Sequence, residues 1–386
     1  MELTDLQKQA VDMIRGENRP RIGVITGGPG TGKTTILREV ADAYSLDTVF
    51  AAPTGKAAKR ISEVTGATSA TIHRMLGVGR LQWRTPPDPL PFKTVIVDEA
   101  SMLDVDLGHH LMRHIGKNTS VFFVGDVNQL PSVGPGTFLN DIIECGRVPV
   151  VRLHEVHRSA ADSWVVQNAH RLLQGEMIDT EPTHDFKWRP CTTASTVVDA
   201  VIEYAVPMLE SGSSVQVLSP QKSGECGVLS LNNRLQSRLF RRRHTWEIRG
   251  QHIGKGDAVM QTRNDYKLEV FNGESGTVVD ITKTDLIVDF DGRIVGYDVK
   301  TAQDLMLSYA LTVHKAQGSE WDTVVLVCHS SHSFMWNRQL LYTALTRAKK
   351  KVILIGDELS VAMTCNGPMS RNTRNTMLQH YIHEVA

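Results

Sequence analysis

The segment GGPGTGKT (27–34) sets Gly27, Gly32, Lys33 and Thr34 at the spacing G-x-x-x-x-G-K-[ST], which is that of a loop built to cradle phosphates. Glycines let backbone N–H groups turn inward around phosphate oxygens. Gly28, Gly30, Thr31 and Thr35 belong to the same nucleotide-binding stretch. Lys33 would reach the β- and γ-phosphates, and the Thr34 hydroxyl would ligate Mg²⁺. VIVDEAS (95–101) ends an apolar run in Asp98 and Glu99. Asp98 would hold Mg²⁺, mostly through water, and Glu99 would polarise an attacking water. Two carboxylates at a strand end are often merely solvated; beside a phosphate loop that reading loses ground. Gln129, in VGDVNQLP (124–131), is neutral and carries both a donor and an acceptor, so it can touch a γ-phosphate and a water together. ATP and Mg²⁺ are the implied cofactors.

These groups need strand tips to hold them. Four β-rich runs, RIGVIT (21–26), TVFAA (48–52), TVIVD (94–98) and SVFFVGD (120–126), alternate with helix-like stretches over 33–44 and 104–115. Continuous apolar strands alternating with helices predict a parallel sheet covered on both faces. The pattern resumes with a helix at 164–173, a strand at 214–220 and a helix at 228–243, and returns in TVVLVC (323–328), RQLLYTALTRA (338–348) and KVILIGD (351–357). Between these, 246–304 shows turn signals every ten or so residues (GKGD, FNGESG, TKTD, FDGR) separated by short alternating runs, the signature of a small antiparallel barrel. The expected organisation is α/β: a first domain over 1–155, a second over 156–245 and 305–386, and a barrel over 246–304 inserted in the second. The Pro-rich run 78–92 fits neither a central strand nor a helix and reads as a surface excursion.

The chain has 386 residues, 41% hydrophobic and 22% charged, with 42 Lys+Arg against 42 Asp+Glu. A nucleic-acid partner must therefore be argued from local patches, since net charge supplies no steering. Cys145, Cys191, Cys226, Cys328 and Cys365 form no C-x-x-C pair, which disfavours a zinc module or disulfide framework and suits reduced thiols in the cytoplasm. His110 and His114 share a helix face without an evident third ligand, so a zinc site is rejected there. The basic run Arg238, Arg241, Arg242 and Arg243 reads as a solvated helix end. No apolar run reaches the roughly 18 residues a membrane span needs, and the N-terminus carries no signal core. The expectation is a cytoplasmic, soluble protein without a membrane partner.

Taken in order, QKQAV (7–11), GGPGTGKT (27–34), APTGKAA (52–58), TIHRML (71–76), VDEAS (97–101), GDVNQLP (125–131), LHEVHRS (153–159), LTVHKAQGSEWD (311–322) and LLYTALTRAKK (340–350) make a chain that resembles superfamily-one helicases, specifically the RecD-like group of the B subclass. The resemblance runs over essentially the whole length. RNDYKLEVFNGESGTV (263–278) looks like the SH3-like insertion of RecD-type enzymes; the long N-terminal domain of full-size relatives is absent from this sequence. The resemblance implies two RecA-like P-loop NTPase domains, with an SH3-like β-barrel in the second, sharing a composite ATP site. Arg158 and Arg347 match the arginines that would stabilise the transferring phosphoryl group. Gly318 and Glu320 would touch the γ-phosphate and ribose, and His157 would stack on adenine. Gln7 matches an adenine-reading glutamine, although Thr4-Asp5-Leu6-Gln7 also reads as a helix capping box. Pro53, Thr54, Gly55, Lys56, Thr71 and His73 in the first domain, and Thr312, His314 and Lys315 in the second, would line a single-strand track through backbone-directed contacts. Trp83 lies where relatives carry a strand-splitting pin; it would either stack on the end base pair at a fork or pack on its own prolines. The implied function is an ATP-dependent helicase or translocase that moves 5′→3′ on single-stranded DNA and acts at single-strand/duplex junctions. Two alternatives stand beside it: an ATPase that remodels nucleoprotein without unwinding, and an RNA-directed motor.

Overall fold

The computed structural model describes residues 3–42, 47–77, 89–155, 163–240, 244–265, 267–367 and 378. The chain divides into two compact units, Met1–Asp162 with Met369–Ala386, and Ser163–Pro368. The division lies a few residues beyond the expected 155/156 boundary. Leu378, in the tail expected with the second domain, packs against the core of unit 1.

In unit 1 the elements are α1 (Asp5–Arg15), β1 (Ile22–Gly27), α2 (Lys33–Asp42), β2 (Thr48–Ala52), α3 (Gly55–Thr65), β3 (Ser69–Thr71), α4 (Ile72–Met75), β4 (Thr94–Val97), α5 (Val105–Arg113), β5 (Ser120–Gly125), α6 (Phe138–Glu144) and β6 (Val150–Leu153). Among the described residues six strands form one sheet in the order β3-β2-β4-β5-β1-β6, every pair parallel. Successive residues of a strand face opposite sides, and here both sides are packed. Ile25, Phe50, Ile96, Phe122 and Val124 join α1, α2 and α3 in one cluster, while Val24, Ala51, Val95, Val97, Val121 and Phe123 join α5 and α6 in the other. That two-sided burial is why the strands read as unbroken apolar runs. Gly108 inside α5 lies where an added Cβ would come 2.4 Å from the Phe138 ring, and that ring meets Phe123 edge-on at 5.3 Å.

Unit 2 contains α7 (Trp164–Gln174), β7 (Phe186–Pro190), α8 (Ala194–Glu210), β8 (Val215–Ser219), α9 (Val228–Leu239), β9 (Thr245–Ile248), β10 (Gln251–Gly254), β11 (Ala258–Gln261), β12 (Ser275–Ile281), β13 (Leu286–Phe290), β14 (Arg293–Tyr297), β15 (Leu305–Leu307), β16 (Ala310–Thr312), β17 (Trp321–Cys328), α10 (Arg338–Leu345), β18 (Ala348–Gly356) and α11 (Glu358–Asn366). Among the described residues five strands make a parallel sheet, β16-β8-β17-β18-β7. The inserted strands form an antiparallel sheet β14-β13-β12-β11-β15 and the hairpin β9–β10. Two tight turns set its register. Arg249 and Gly250 have φ of 49° and 75°, and Asp291 and Gly292 have φ of 54° and 90°, the positive-φ pair that two-residue hairpins require. The inserted strands run from Thr245 to Leu307, slightly beyond the expected 246–304, because β15 pairs back onto β11. Their core is continuous with that of the parallel sheet: Val259, Val278, Val288 and Leu307 cluster with Val201, Val217 and Val325. Among the described residues no helix is long and apolar enough to cross a membrane.

Candidate functional site

The tips of three neighbouring parallel strands carry the candidate nucleotide-site residues of unit 1. Thr26 of β1 lies opposite Gly125 of β5, and Val97 of β4 opposite Phe123. The phosphate loop, the Asp98–Glu99 pair and the Gln129 turn therefore leave the same edge of the sheet, the C-terminal edge at which open α/β sheets bind ligands.

At β1 the chain turns sharply into α2. Gly30 and Gly32 have φ of 72° and 83°, accessible without strain to glycine. A Cβ on Gly27 would lie 2.6 Å from the Thr31 hydroxyl and 2.8 Å from Leu153 Cβ. The Thr31 hydroxyl donates to the Gly28 carbonyl at 2.9 Å. Lys33 opens α2, and its Nζ donates to the carbonyls of Gly27 at 2.6 Å and Gly28 at 3.0 Å. Thr34 and Thr35 follow in the first helical turn, half-buried. Gln7 is buried and makes the capping box that the sequence predicts, with a further bond to the phosphate loop. Its Oε1 accepts from Thr4 N at 3.1 Å in a capping box, and its Nε2 donates to the Thr31 carbonyl at 3.1 Å. The capping box thus sets the start of α1 against the phosphate loop.

Asp98 retains some solvent-accessible surface, but protein atoms crowd its carboxyl. Burial, and then the Glu99 charge beside it, push its pKa up to about 6, with Arg60 and Lys33 pulling the other way. Glu99 sits in the left-handed region, φ 51°, ψ 37°, and its Oε1 lies 3.9 Å from Nη1 of Arg60 on α3. The Ser101 hydroxyl, two residues on, is buried and has no hydrogen-bond partner among the described residues. Gln129 is buried at the third tip, in a turn built by Asp126. Asn128 N donates to Asp126 Oδ1 at 2.9 Å and Gln129 N to Asp126 O at 3.2 Å.

This set fits ATP with Mg²⁺. Gly30 and Gly32 turn the loop at positive φ, Lys33 is a cation held by neutral carbonyls, and a crowded carboxylate with a raised pKa is one that a divalent cation would relieve.

The strand candidates also lie at C-terminal strand ends. Pro53 and Thr54 follow β2; Thr54 caps α3, its hydroxyl accepting from Ala57 N at 3.2 Å, with Gly55 and Lys56 in the first turn. Thr71 caps α4, accepting from Arg74 N at 3.1 Å; burial lowers the pKa of His73 in that helix. In unit 2, Thr312 ends β16 and its hydroxyl accepts from Lys315 N at 3.3 Å. His314 is exposed. The Lys315 pKa is lowered by burial and then by the Lys222 charge nearby. Lys222 and Arg60 escaped the sequence reading. Each reads as an ordinary surface cation, and the partner that gives it meaning lies far along the chain.

Arg347 is 1% exposed. Its guanidinium donates from Nε to Thr343 O at 3.2 Å, from Nη1 to Ser319 O at 3.2 Å and from Nη2 to Thr346 Oγ1 at 3.4 Å. Unit 2 thereby joins Arg347 to the loop that carries Gly318, whose φ is 71°, and Glu320. No carboxylate lies within ion-pair distance of Arg347 among the described residues, so a buried cation is held here by neutral acceptors. His157, Arg158 and Trp83 lie outside the described residues, as does most of the 78–92 excursion.

The chain matches three families: the AAA domain over residues 2–187, the SH3 domain of the ATP-dependent RecD-like DNA helicase over 231–290, and the UvrD-like helicase C-terminal domain over 307–355. It is 38% identical over 382 residues to the ATP-dependent RecD2 DNA helicase of Deinococcus radiodurans, covering 97% of this chain and 52% of that protein. It is 30% identical over 407 residues to the RecBCD enzyme subunit RecD of Mycobacterium tuberculosis, covering 92% of this chain and 70% of that one. The chain thus spans about half the length of the Deinococcus relative. In fold it is similar to the Pif1 helicase from Bacteroides in complex with ADP-AlF3 and ssDNA, with a TM-score of 0.58 at 17% identity, covering 100% of this chain and 97% of that one. It is also similar to the Pif1 helicase from Candida albicans, with a TM-score of 0.57 at 18% identity, covering 100% and 99%.

Proposed function

Because this chain belongs to the RecD-like helicase family, we propose that it is an ATP-dependent DNA helicase and translocase, moving 5′→3′ on single-stranded DNA and opening duplexes at junctions. The observation that carries this reading is the convergence of the phosphate loop, the Asp98–Glu99 pair and Gln129 on three adjacent strand tips. The RecD2 relative, named an ATP-dependent DNA helicase, supports DNA as the polymer.

In the proposed mechanism Lys33 exchanges its carbonyl partners for β- and γ-phosphate oxygens. Thr34 and Asp98 would hold Mg²⁺, which would supply charge neutralisation at the phosphates. Glu99 and Gln129 orient the attacking water. Phosphoryl transfer spreads negative charge over the γ-oxygens, and a guanidinium stabilises it by paired hydrogen bonds. Arg347 suits that part, since a buried cation held by neutral acceptors among the described residues is relieved when an anion arrives; Arg158 is its proposed companion. Gln7 and His157 would hold the base, and Gly318 and Glu320 the γ-phosphate and ribose. The strand contacts at Pro53–Lys56, Thr71, His73, Thr312, His314 and Lys315 would grip backbone without reading sequence. Trp83 would work at the fork.

The test is ATP-dependent opening of two short duplexes, one with a 5′ single-stranded tail and one with a 3′ tail. Selective opening of the 5′-tailed duplex is expected. Opening of neither, with hydrolysis still stimulated by single strands, would replace unwinding with nucleoprotein remodelling. Preference for matched RNA strands would replace DNA.

A further inference from the structure

Arg60, beside the acid pair, has no task in the proposed mechanism. It lies on α3, 39 positions before Glu99 in sequence, yet its Nη1 is 3.9 Å from Glu99 Oε1, with the two side chains 31% and 13% exposed. Its charge also reaches Asp98. Sheet order gives this contact a direction. The strands run β2-β4-β5-β1, so α3, which follows β2, belongs to the side of β4 away from the phosphate loop at the tip of β1. The Glu99 carboxylate is thus paired toward the strand-contact helix. Glu99 is also one of four non-glycine residues with positive φ among those described, a sparsely populated backbone state of the kind found where a switch must hold a group in place.

The same helix begins with the candidate strand contacts. Thr54 caps α3, and Lys56 lies in its first turn. Lys56 and Arg60 are four residues apart and share one helix face. A strand phosphate engaging Lys56 and the helix start would act on the rigid body that carries Arg60.

We propose that Arg60 is a positioning residue that couples strand occupancy to hydrolysis. Without a strand it holds Glu99 through the ion pair; when a strand engages the start of α3, the pair loosens and Glu99 is released to orient water. This inference rests on the motor reading above. It does not need Arg60 to touch nucleotide.

Linkage makes the coupling measurable without turnover. If the strand disfavours the pair, the pair must disfavour the strand by the same factor. A partly exposed ion pair is worth at most about 1 kcal/mol, or about two- to five-fold in an equilibrium. In nucleotide-free protein, Arg60→Ala and Glu99→Gln should therefore each tighten binding of labelled oligo-dT, read by fluorescence anisotropy, by about two- to five-fold. The double variant should gain no more than either single one. In steady state, Arg60→Ala should raise strand-free kcat for ATP at unchanged KM and lower the ratio of stimulated to unstimulated turnover, while Arg60→Lys should keep wild-type behaviour. Additive gains in the double variant would overturn the proposal, as would an Arg60→Ala protein whose strand-free kcat is unchanged or lower with full stimulation. A wild type whose hydrolysis ignores single strands would remove the motor reading itself, an outcome separate from any behaviour of the variants.

Discussion

Replacing Asp98 by Asn should stabilise the nucleotide-free protein while removing a proposed Mg²⁺ ligand. Folding raises the Asp98 pKa from 3.8 to about 6, chiefly by burial and then by Glu99. A raised carboxylate favours the folded state while protonated and costs stability once ionised, so the cost is absent below the unfolded pKa and complete above the folded one. Roughly two units at 1.36 kcal/mol each give a ceiling of about 3 kcal/mol at neutral pH. Water still reaching the carboxyl, and the amide hydrogens that Asn would bury, trim the expected gain to about 1–2 kcal/mol. For a unit of this size that is about 2–8 °C in Tm. The assay is thermal unfolding of both proteins without metal or nucleotide from pH 7.5 downward. The gap between them should fall to about half near pH 5 and close toward pH 4. Adding Mg²⁺ with nucleotide should raise the wild type and leave Asp98→Asn nearly unmoved. An Asn variant no more stable than wild type at pH 7.5, or a gap independent of pH, would refute the picture of a crowded, charge-strained acid.

Lys33→Ala should abolish hydrolysis, since its ammonium is the cation that the loop carbonyls hold in place for phosphate; retained DNA-stimulated turnover would move the site elsewhere. Arg347→Ala should leave ATP binding, measured with a fluorescent analogue, largely intact while hydrolysis falls by about 10³–10⁵. Normal turnover in that variant would make its bonds to Thr343 and Ser319 purely architectural.

The parts that were legible in the sequence are those whose meaning is local. A phosphate loop is eight consecutive residues between a strand and a helix, and an acid pair at the end of an apolar run needs no distant partner to be recognised. The alternation of buried strands and helices likewise carries its own period. Contacts that depend on sheet order were not legible. Arg60 in KAAKRIS looks like any solvated helix charge until β2 is known to lie beside β4, and Lys222 gains meaning only from the nearby Lys315. Short strands hide for a related reason. Ser69–Thr71 is three residues long, and Phe186–Pro190 is an edge strand that tolerates its proline because one side needs no partner. Strand β15 pairs with β11 from across the intervening strands, a register that no local pattern announces. Gln7 joins the helix cap to the phosphate loop through one amide, a link between residues 24 positions apart that only the fold brings together.

The central claim is that ATP hydrolysis drives directional movement along a single strand. Its most direct test is displacement of streptavidin from single-stranded DNA biotinylated at one end or the other. A 5′→3′ motor should clear the 3′-biotinylated strand in the presence of ATP, leave the 5′-biotinylated strand loaded, and lose the activity in Lys33→Ala. Equal displacement from both ends, or none while single strands still stimulate hydrolysis, would contradict directional translocation.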